Sequence, residues 1–114
     1  MTFHTSNTIM AGTGAQVFFE LIGEFGSTGT VLVQSTNAQF GRGCSDTFLY
    51  PRLPHVGELL QIRVGTTGQG VFATWHLRQV EVVHISTNQR HVFNCHQWID
   101  KKCAWQKVLP AIPA

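Results

Sequence analysis

Charge is scarce in this chain. Eight Lys and Arg stand against six Asp and Glu in 114 residues, a charged share of 12% and a net charge of +2, where a typical domain is about 25% charged. So few charges exclude a disordered, charge-solvated tail. With no basic run beyond Lys101-Lys102, they also argue against nucleic acid as a partner, since phosphate binding concentrates positive charge. Contact with anionic lipid needs only a local patch and stays open. Cysteine is short as well. Cys44, Cys95 and Cys103 form no regular framework, and an odd number leaves at least one thiol free, which favours a reducing compartment over a disulfide-stapled secreted domain. Long apolar runs are missing: nothing approaches the ~18 residues of a membrane-spanning helix. Phe3-His4-Thr5-Ser6-Asn7 is polar where the apolar part of a secretory signal would begin. The chain starts only a few residues before its first motif, and so is expected to be a piece of a longer protein. Helical periodicity is nearly absent.

What remains is 43% hydrophobic, enough for one domain with its own core. The apolar residues come in short alternating runs separated by Gly, Asn, Ser and Pro. Such runs predict strands at about 2–6, 15–22, 28–34, 46–50, 58–65, 74–85 and 90–95, with a short eighth near 98–100. Many short strands with turn residues between them imply an all-β fold, an antiparallel β-sandwich of two sheets. Leu60, Ile62 and Val64 share one face of their run, with Gln61 and Arg63 on the other. In the run from Thr74, Trp75 and Leu77 point inward, then Val80 and Val82. That break of period two calls for a β-bulge around Arg78-Gln79. The expected core is Val17, Phe19, Leu21, Leu60, Ile62, Val64, Trp75, Leu77, Val80, Val82 and Phe93. Residues 1–103 are expected to form the domain. Residues 104–114, with Pro110 and Pro113 unable to pair inside a sheet, read as a linker or edge extension.

Catalytic chemistry is thin. No two carboxylates sit close in sequence, and there is no Gly-x-Ser-x-Gly elbow. Cys44 near Asp46 reads as a structural thiol and not as a nucleophile. His91, Cys95, His96 and Cys103 are metal-ligand types in one region, but their spacing fits no compact zinc pattern, and Cys95 and His96, as neighbours on a strand, face opposite ways. No enzyme and no metal centre is expected from these residues.

Four segments carry a resemblance. Ala11-Gly12-Thr13-Gly14-Ala15 opens directly into the strand Gln16-Val17-Phe18-Phe19-Glu20-Leu21-Ile22-Gly23. Then come Phe40-Gly41-Arg42-Gly43-Cys44-Ser45-Asp46-Thr47-Phe48, Thr74-Trp75-His76-Leu77-Arg78-Gln79-Val80-Glu81-Val82, and Phe93-Asn94-Cys95-His96-Gln97-Trp98-Ile99-Asp100. In this order and at these spacings, from about Phe3 to about Lys102, the chain resembles the PLAT domain, also called the lipoxygenase-homology (LH2) domain. The stretch ending Val92-Phe93-Asn94-Cys95-His96-Gln97-Trp98 is similar to the polycystin-type and tandem lipoxygenase-homology branches, which keep a cysteine before this tryptophan. The resemblance implies a C2-like sandwich acting as a non-catalytic module of a larger protein, cytoplasmic and membrane-associated. Such a module docks its parent to an anionic phospholipid surface or to a protein partner. It also implies that Trp75 and Trp98 lie on or beside core strands as structural residues that bury a large area between the sheets.

Many members of that family hold calcium in loops at one end of the sandwich. Where the family often has aspartates, this chain has Ser6-Asn7, Gly14 and Gly65-Thr66-Thr67. Calcium draws much of its affinity from carboxylates, so Asn7, Thr66 and backbone carbonyls form a weak site at best, and no cofactor is expected. The same loops carry Ile9 and Met10, and Val71 and Phe72. These either fold back to plug the end of the sandwich or project to insert into a membrane interface or a partner's pocket. Lys101, Lys102, Trp105 and Lys107 either form a basic and aromatic edge that suits docking, or Trp105 simply covers the edge of the sandwich. A carbohydrate-binding sandwich is the alternative. It would need a planar aromatic row, and Tyr50 is the one tyrosine, with the phenylalanines mainly at alternating strand positions.

Overall fold

In the computed structural model the described residues are 1–34, 39–70 and 73–113. They form ten strands in two antiparallel sheets and one short 3-10 helix, Lys101–Cys103. The strands are β1 (Thr2–Thr5), β2 (Val17–Gly23), β3 (Gly26–Ser27), β4 (Val31–Leu32), β5 (Ser45–Thr47), β6 (Leu59–Thr66), β7 (Trp75–His84), β8 (Gln89–Ile99), β9 (Gln106–Pro110) and β10 (Ile112–Pro113). One sheet runs β10-β8-β7-β1-β5. The other runs β3-β2-β6-β9, with β4 also paired to β2. Among the described residues no helix is long and apolar enough to cross a membrane.

Strand β2 shows why the sequence folds this way. Val17, Phe19, Leu21 and Gly23 are buried and the residues between them are partly exposed, the period-two pattern of a sheet with one face on a core. Phe19 pairs with Val64 and Leu21 with Ile62 across to β6. Phe3, Phe19, Phe40, Trp75 and Phe93 are the large fully buried rings. Phe3 contacts Phe19, Phe40 and Trp75 with ring centroids 6.3, 5.6 and 6.2 Å away. The one polar atom of the Trp75 ring is satisfied, since Nε1 donates to Thr5 Oγ1 at 2.9 Å. On the outer face of the second sheet, Arg63 donates to Glu20 at 2.9 Å and to Gln106 at 3.0 Å, with its guanidinium 5.0 Å from the Phe18 ring centroid.

The bulge in β7 lies at Arg78. Against β1, His4 pairs with Gln79 and Thr5 with Leu77, so Arg78 is the extra residue. Strand β8 answers with an extra residue of its own at Cys95-His96, opposite Arg78, and His96 takes the left-handed backbone conformation (φ 51°). Two core expectations need correcting. Leu60 is 51% exposed because β6 bulges too: Ile22 pairs with Gln61 but Gly23 with Leu59. Leu60 is turned out, and Leu59 packs on the core in its place. Val82 packs on the core but is only partly buried, because it lines a cleft at that end of the sandwich. The short strand expected near 98–100 is the end of β8. Residues 106–113 supply β9 and β10, one at an edge of each sheet.

Candidate functional site: the loop end of the sandwich

Three loops meet where β1 and β8 end and β7 begins. Ser6 N–H donates to His76 O and Gly43 N–H to Ser6 O, both at 3.0 Å. Thr13 N–H reaches Phe40 O at 3.0 Å, His76 N–H reaches Ala11 O at 2.9 Å, and Thr67 N–H reaches Gln16 O at 2.9 Å. The Thr13 hydroxyl donates to Ala73 O at 2.9 Å. These bonds tie residues 6–16, 39–44, 66–70 and 73 into one surface. The small residues of the first motif have a physical reason: a Cβ on Gly12 would lie 3.0 Å from both Arg42 N and Phe40 O. Small groups close the end, with Ala11, Thr13, Ala15 and Ala73 all buried.

That closure leaves Ile9 and Met10 outside. They are 72% and 67% exposed on a turn in which Ala11 N–H bonds Thr8 O and Met10 is left-handed (φ 62°). They do not plug the sandwich. Val71 and Phe72 lie outside the described residues. Arg42 is exposed beside the same turn, its Nε donating to Asn7 O at 3.3 Å. From the other side comes the 3-10 helix. Asp100 caps it by accepting from Lys102 N–H at 2.9 Å, and Lys101 and Lys102 stand exposed. None of Arg42, Lys101 and Lys102 has an acidic partner within ion-pair distance among the described residues.

Trp105 follows in a left-handed conformation (φ 63°). Its carbonyl accepts from Thr66 N–H at 2.9 Å and its half-buried indole lies over Gly68. The structure therefore brings Ile9, Met10, Lys101, Lys102 and Trp105 to one end. Lys107 sits further along, half-buried on β9 opposite Val64. Trp98 departs from expectation. It is 38% exposed and meets the His76 ring edge to face at 4.9 Å between centroids, because the β8 bulge resets the side-chain alternation before it. Arg42 was not foreseen at this end, although its Gly-Arg-Gly setting marks an exposed turn. Its place beside Asn7 depends on contacts 35 residues apart.

The metal-ligand types do not assemble. Cys95 is buried and His96 exposed, and among the described residues no three His, Cys, Asp or Glu side chains could hold a metal ion. Burial pushes the Cys95 thiol above its ordinary value. Asp46, beside Cys44, has its carboxylate on Phe40 N–H at 2.9 Å, a structural bond.

A two-sheet β-module with an apolar tip and unpaired cations at one loop end is the class these features define. The chain belongs to the PLAT/LH2 domain family, whose model matches residues 2–107. It is 39% identical over 99 residues to human lipoxygenase homology domain-containing protein 1, covering 85% of this chain and 5% of that protein. It is 27% identical over 100 residues to the mouse polycystin family receptor for egg jelly, covering 87% of this chain and 5% of that protein. The chain thus spans about a twentieth of these relatives. In fold it is similar to coral 8R-lipoxygenase, described as activated by calcium via a C2-like domain. The TM-score is 0.83 at 20% identity, over 96% of this chain and 16% of that one. A calcium-dependent 11R-lipoxygenase aligns with a TM-score of 0.69 at 25% identity, over 96% and 16% of the two chains.

The residues here do not fit the calcium of those enzymes. Asn7 O already accepts from the Arg42 guanidinium, which sets a cation beside one of the candidate oxygens. Thr66 is buried, with its hydroxyl 3.5 Å from Ala73 O and 3.3 Å from Gly68 N. Gly14 offers no side chain, and no carboxylate replaces the family's aspartates at these positions.

Proposed function

We propose that this PLAT domain is a non-catalytic docking module that holds a larger protein against an anionic membrane surface through its loop end. The observation that carries the reading is the pairing of two exposed apolar side chains, Ile9 and Met10, with exposed Arg42, Lys101 and Lys102 at the same end. A basic residue near an anionic surface contributes about 1 kcal/mol, and fully burying a large apolar side chain roughly 1.5–3 kcal/mol. Neither holds a domain on a bilayer alone, so attachment needs both and fades with salt. Val71 and Phe72 belong to the same insertion surface in this reading, and Lys107 and Trp105 to its flank. Three free thiols suit the cytoplasmic face of a membrane. The carbohydrate alternative loses support because four of the eight phenylalanines, Phe3, Phe19, Phe40 and Phe93, are in the core and not available to a sugar platform.

Co-sedimentation with phosphatidylserine vesicles tests the reading. Wild type is expected to bind at low salt and release as salt rises. Ile9→Ser, Met10→Ser and Val71→Ser, Phe72→Ser double variants are expected to bind several-fold more weakly, the first with unchanged melting temperature. Equal binding by wild type and both variants overturns the assigned surface. No binding by wild type at low salt overturns the membrane reading and favours a protein partner.

A further inference from the structure

At the end of the sandwich opposite the loops, the two sheets part around a cleft of about 740 Å³. That size falls within the range of small-molecule sites, which are mostly apolar with a few convergent polar groups. Leu21 and Leu59 come from one sheet and Val82 and Val83 from the other, so the walls are aliphatic. Exposed Phe25, Leu49 and Ile85 extend the apolar surface at the mouth. Two polar atoms in the lining are buried and find no hydrogen-bond partner among the described residues: the Tyr50 hydroxyl and His91 Nε2. His91 is 4% exposed. Its nearest acid, Glu58, is 4.0 Å from Nε2, beyond hydrogen-bond reach. Buried polar atoms are nearly always satisfied, because leaving them unpaired is costly. Two such atoms in one apolar cleft are where a ligand oxygen would be held.

We propose that this cleft is a second binding site, distinct from the loop end, for an uncharged amphipathic molecule with an aliphatic chain and a hydroxyl head. The chain would lie between the sheets. A hydroxyl oxygen there accepts from Tyr50 O–H, and His91 Nε2 is a second unpartnered polar point of the same lining for the head group. Burial pushes the Tyr50 phenol above its ordinary value, so it keeps its proton and can donate. Glu24 and Glu58 also line the cleft, and like charges repel. Met1 lines it too, its ammonium donating to Phe48 O at 3.1 Å; two carboxylates against one ammonium leave a carboxylate head disfavoured and a neutral one accepted. The proposal does not rest on the membrane reading.

The test is an amide NMR titration of the 114-residue chain with 1-decanol and, in parallel, with decanoate. Decanol is expected to shift the amides of Leu21, Tyr50, Leu59 and His91 and to bind at least about tenfold more tightly than decanoate. Tyr50→Phe and His91→Phe are each expected to weaken decanol binding roughly three- to tenfold, the worth of one hydrogen bond. Tyr50→Phe also removes an unpaired buried hydroxyl, so its melting temperature should hold or rise. A merely structural tyrosine would show the reverse. Unshifted cleft amides, decanoate binding as tightly as decanol, or wild-type affinity in a folded Tyr50→Phe variant would each overturn the assignment.

Discussion

The indole of Trp105 lies so close over Gly68 that a Cβ there would come within 2.6 Å of the ring atoms Cε2 and Nε1. Gly68 also has φ of 73°, a conformation that costs an ordinary residue roughly 1–2 kcal/mol. Gly68→Ala should therefore destabilise by that amount plus the displacement of the ring, and Trp105 emission should shift red as it moves into water. In a Trp105→Ala background the loss should shrink to the backbone cost alone. Urea unfolding of the four proteins as a double-mutant cycle checks this. Additive losses would mean the ring and the glycine are not coupled.

Trp75 is the largest fully buried side chain and is anchored through Thr5. Trp75→Ala should cost about 3–5 kcal/mol. Thr5→Val keeps the shape but orphans a buried N–H, and should cost about 1–3 kcal/mol. Denaturant midpoints at unchanged m-value read both.

Acid should weaken the domain through two glutamates. Hydrogen bonds from Ser27 and then Arg63 hold the Glu20 carboxyl below the ordinary glutamate value of 4.5. Burial pushes Glu81 up, but bonds from Arg90 and His4 together outweigh it and hold Glu81 below the same value. A carboxyl lowered in the folded state contributes stability that is fully present above its unfolded value and lost as pH falls through the folded one. Melting temperature should thus fall as pH drops below about 4.5. Glu20→Gln should flatten that slope while leaving the neutral-pH curve shallow. A variant as acid-sensitive as wild type would refute the role of Glu20.

Calcium should leave the domain unmoved. A ligand that binds only the folded state at a hundredfold excess over Kd stabilises by about 2.7 kcal/mol. With Asn7 O facing Arg42, one millimolar calcium is expected to give no rise in melting temperature and no change in vesicle binding. A clear rise would show a site built from other oxygens.

Much of the fold could be read ahead of the structure, because period two is a local signal. In β2 it places Val17, Phe19 and Leu21 inward without any knowledge of the partner strand. The irregularities are harder. The bulge at Arg78 left a trace, the odd spacing of Leu77 and Val80. The bulge at Leu60 left none, since Leu59 and Leu60 are the same residue type and only the pairing with Gly23 decides which faces in. Trp98 was misplaced for the same reason: the extra residue at Cys95-His96 flips the face after it. The loop end was legible in its residue types but not in its assembly. Arg42, Lys101 and Ile9 are far apart in sequence, and contacts between loops, such as Thr13 with Ala73, bring them together.

One detail at the sheet margin governs what can pair with it. Ala111 N–H points inward to Leu60 O at 2.8 Å, so the preceding ring nitrogen, that of Pro110, faces the open side of β9. A strand approaching that border from a neighbour would meet a ring with no proton to give at the position where a ladder must continue. The border cannot be extended smoothly there, so this edge resists the addition of a further strand.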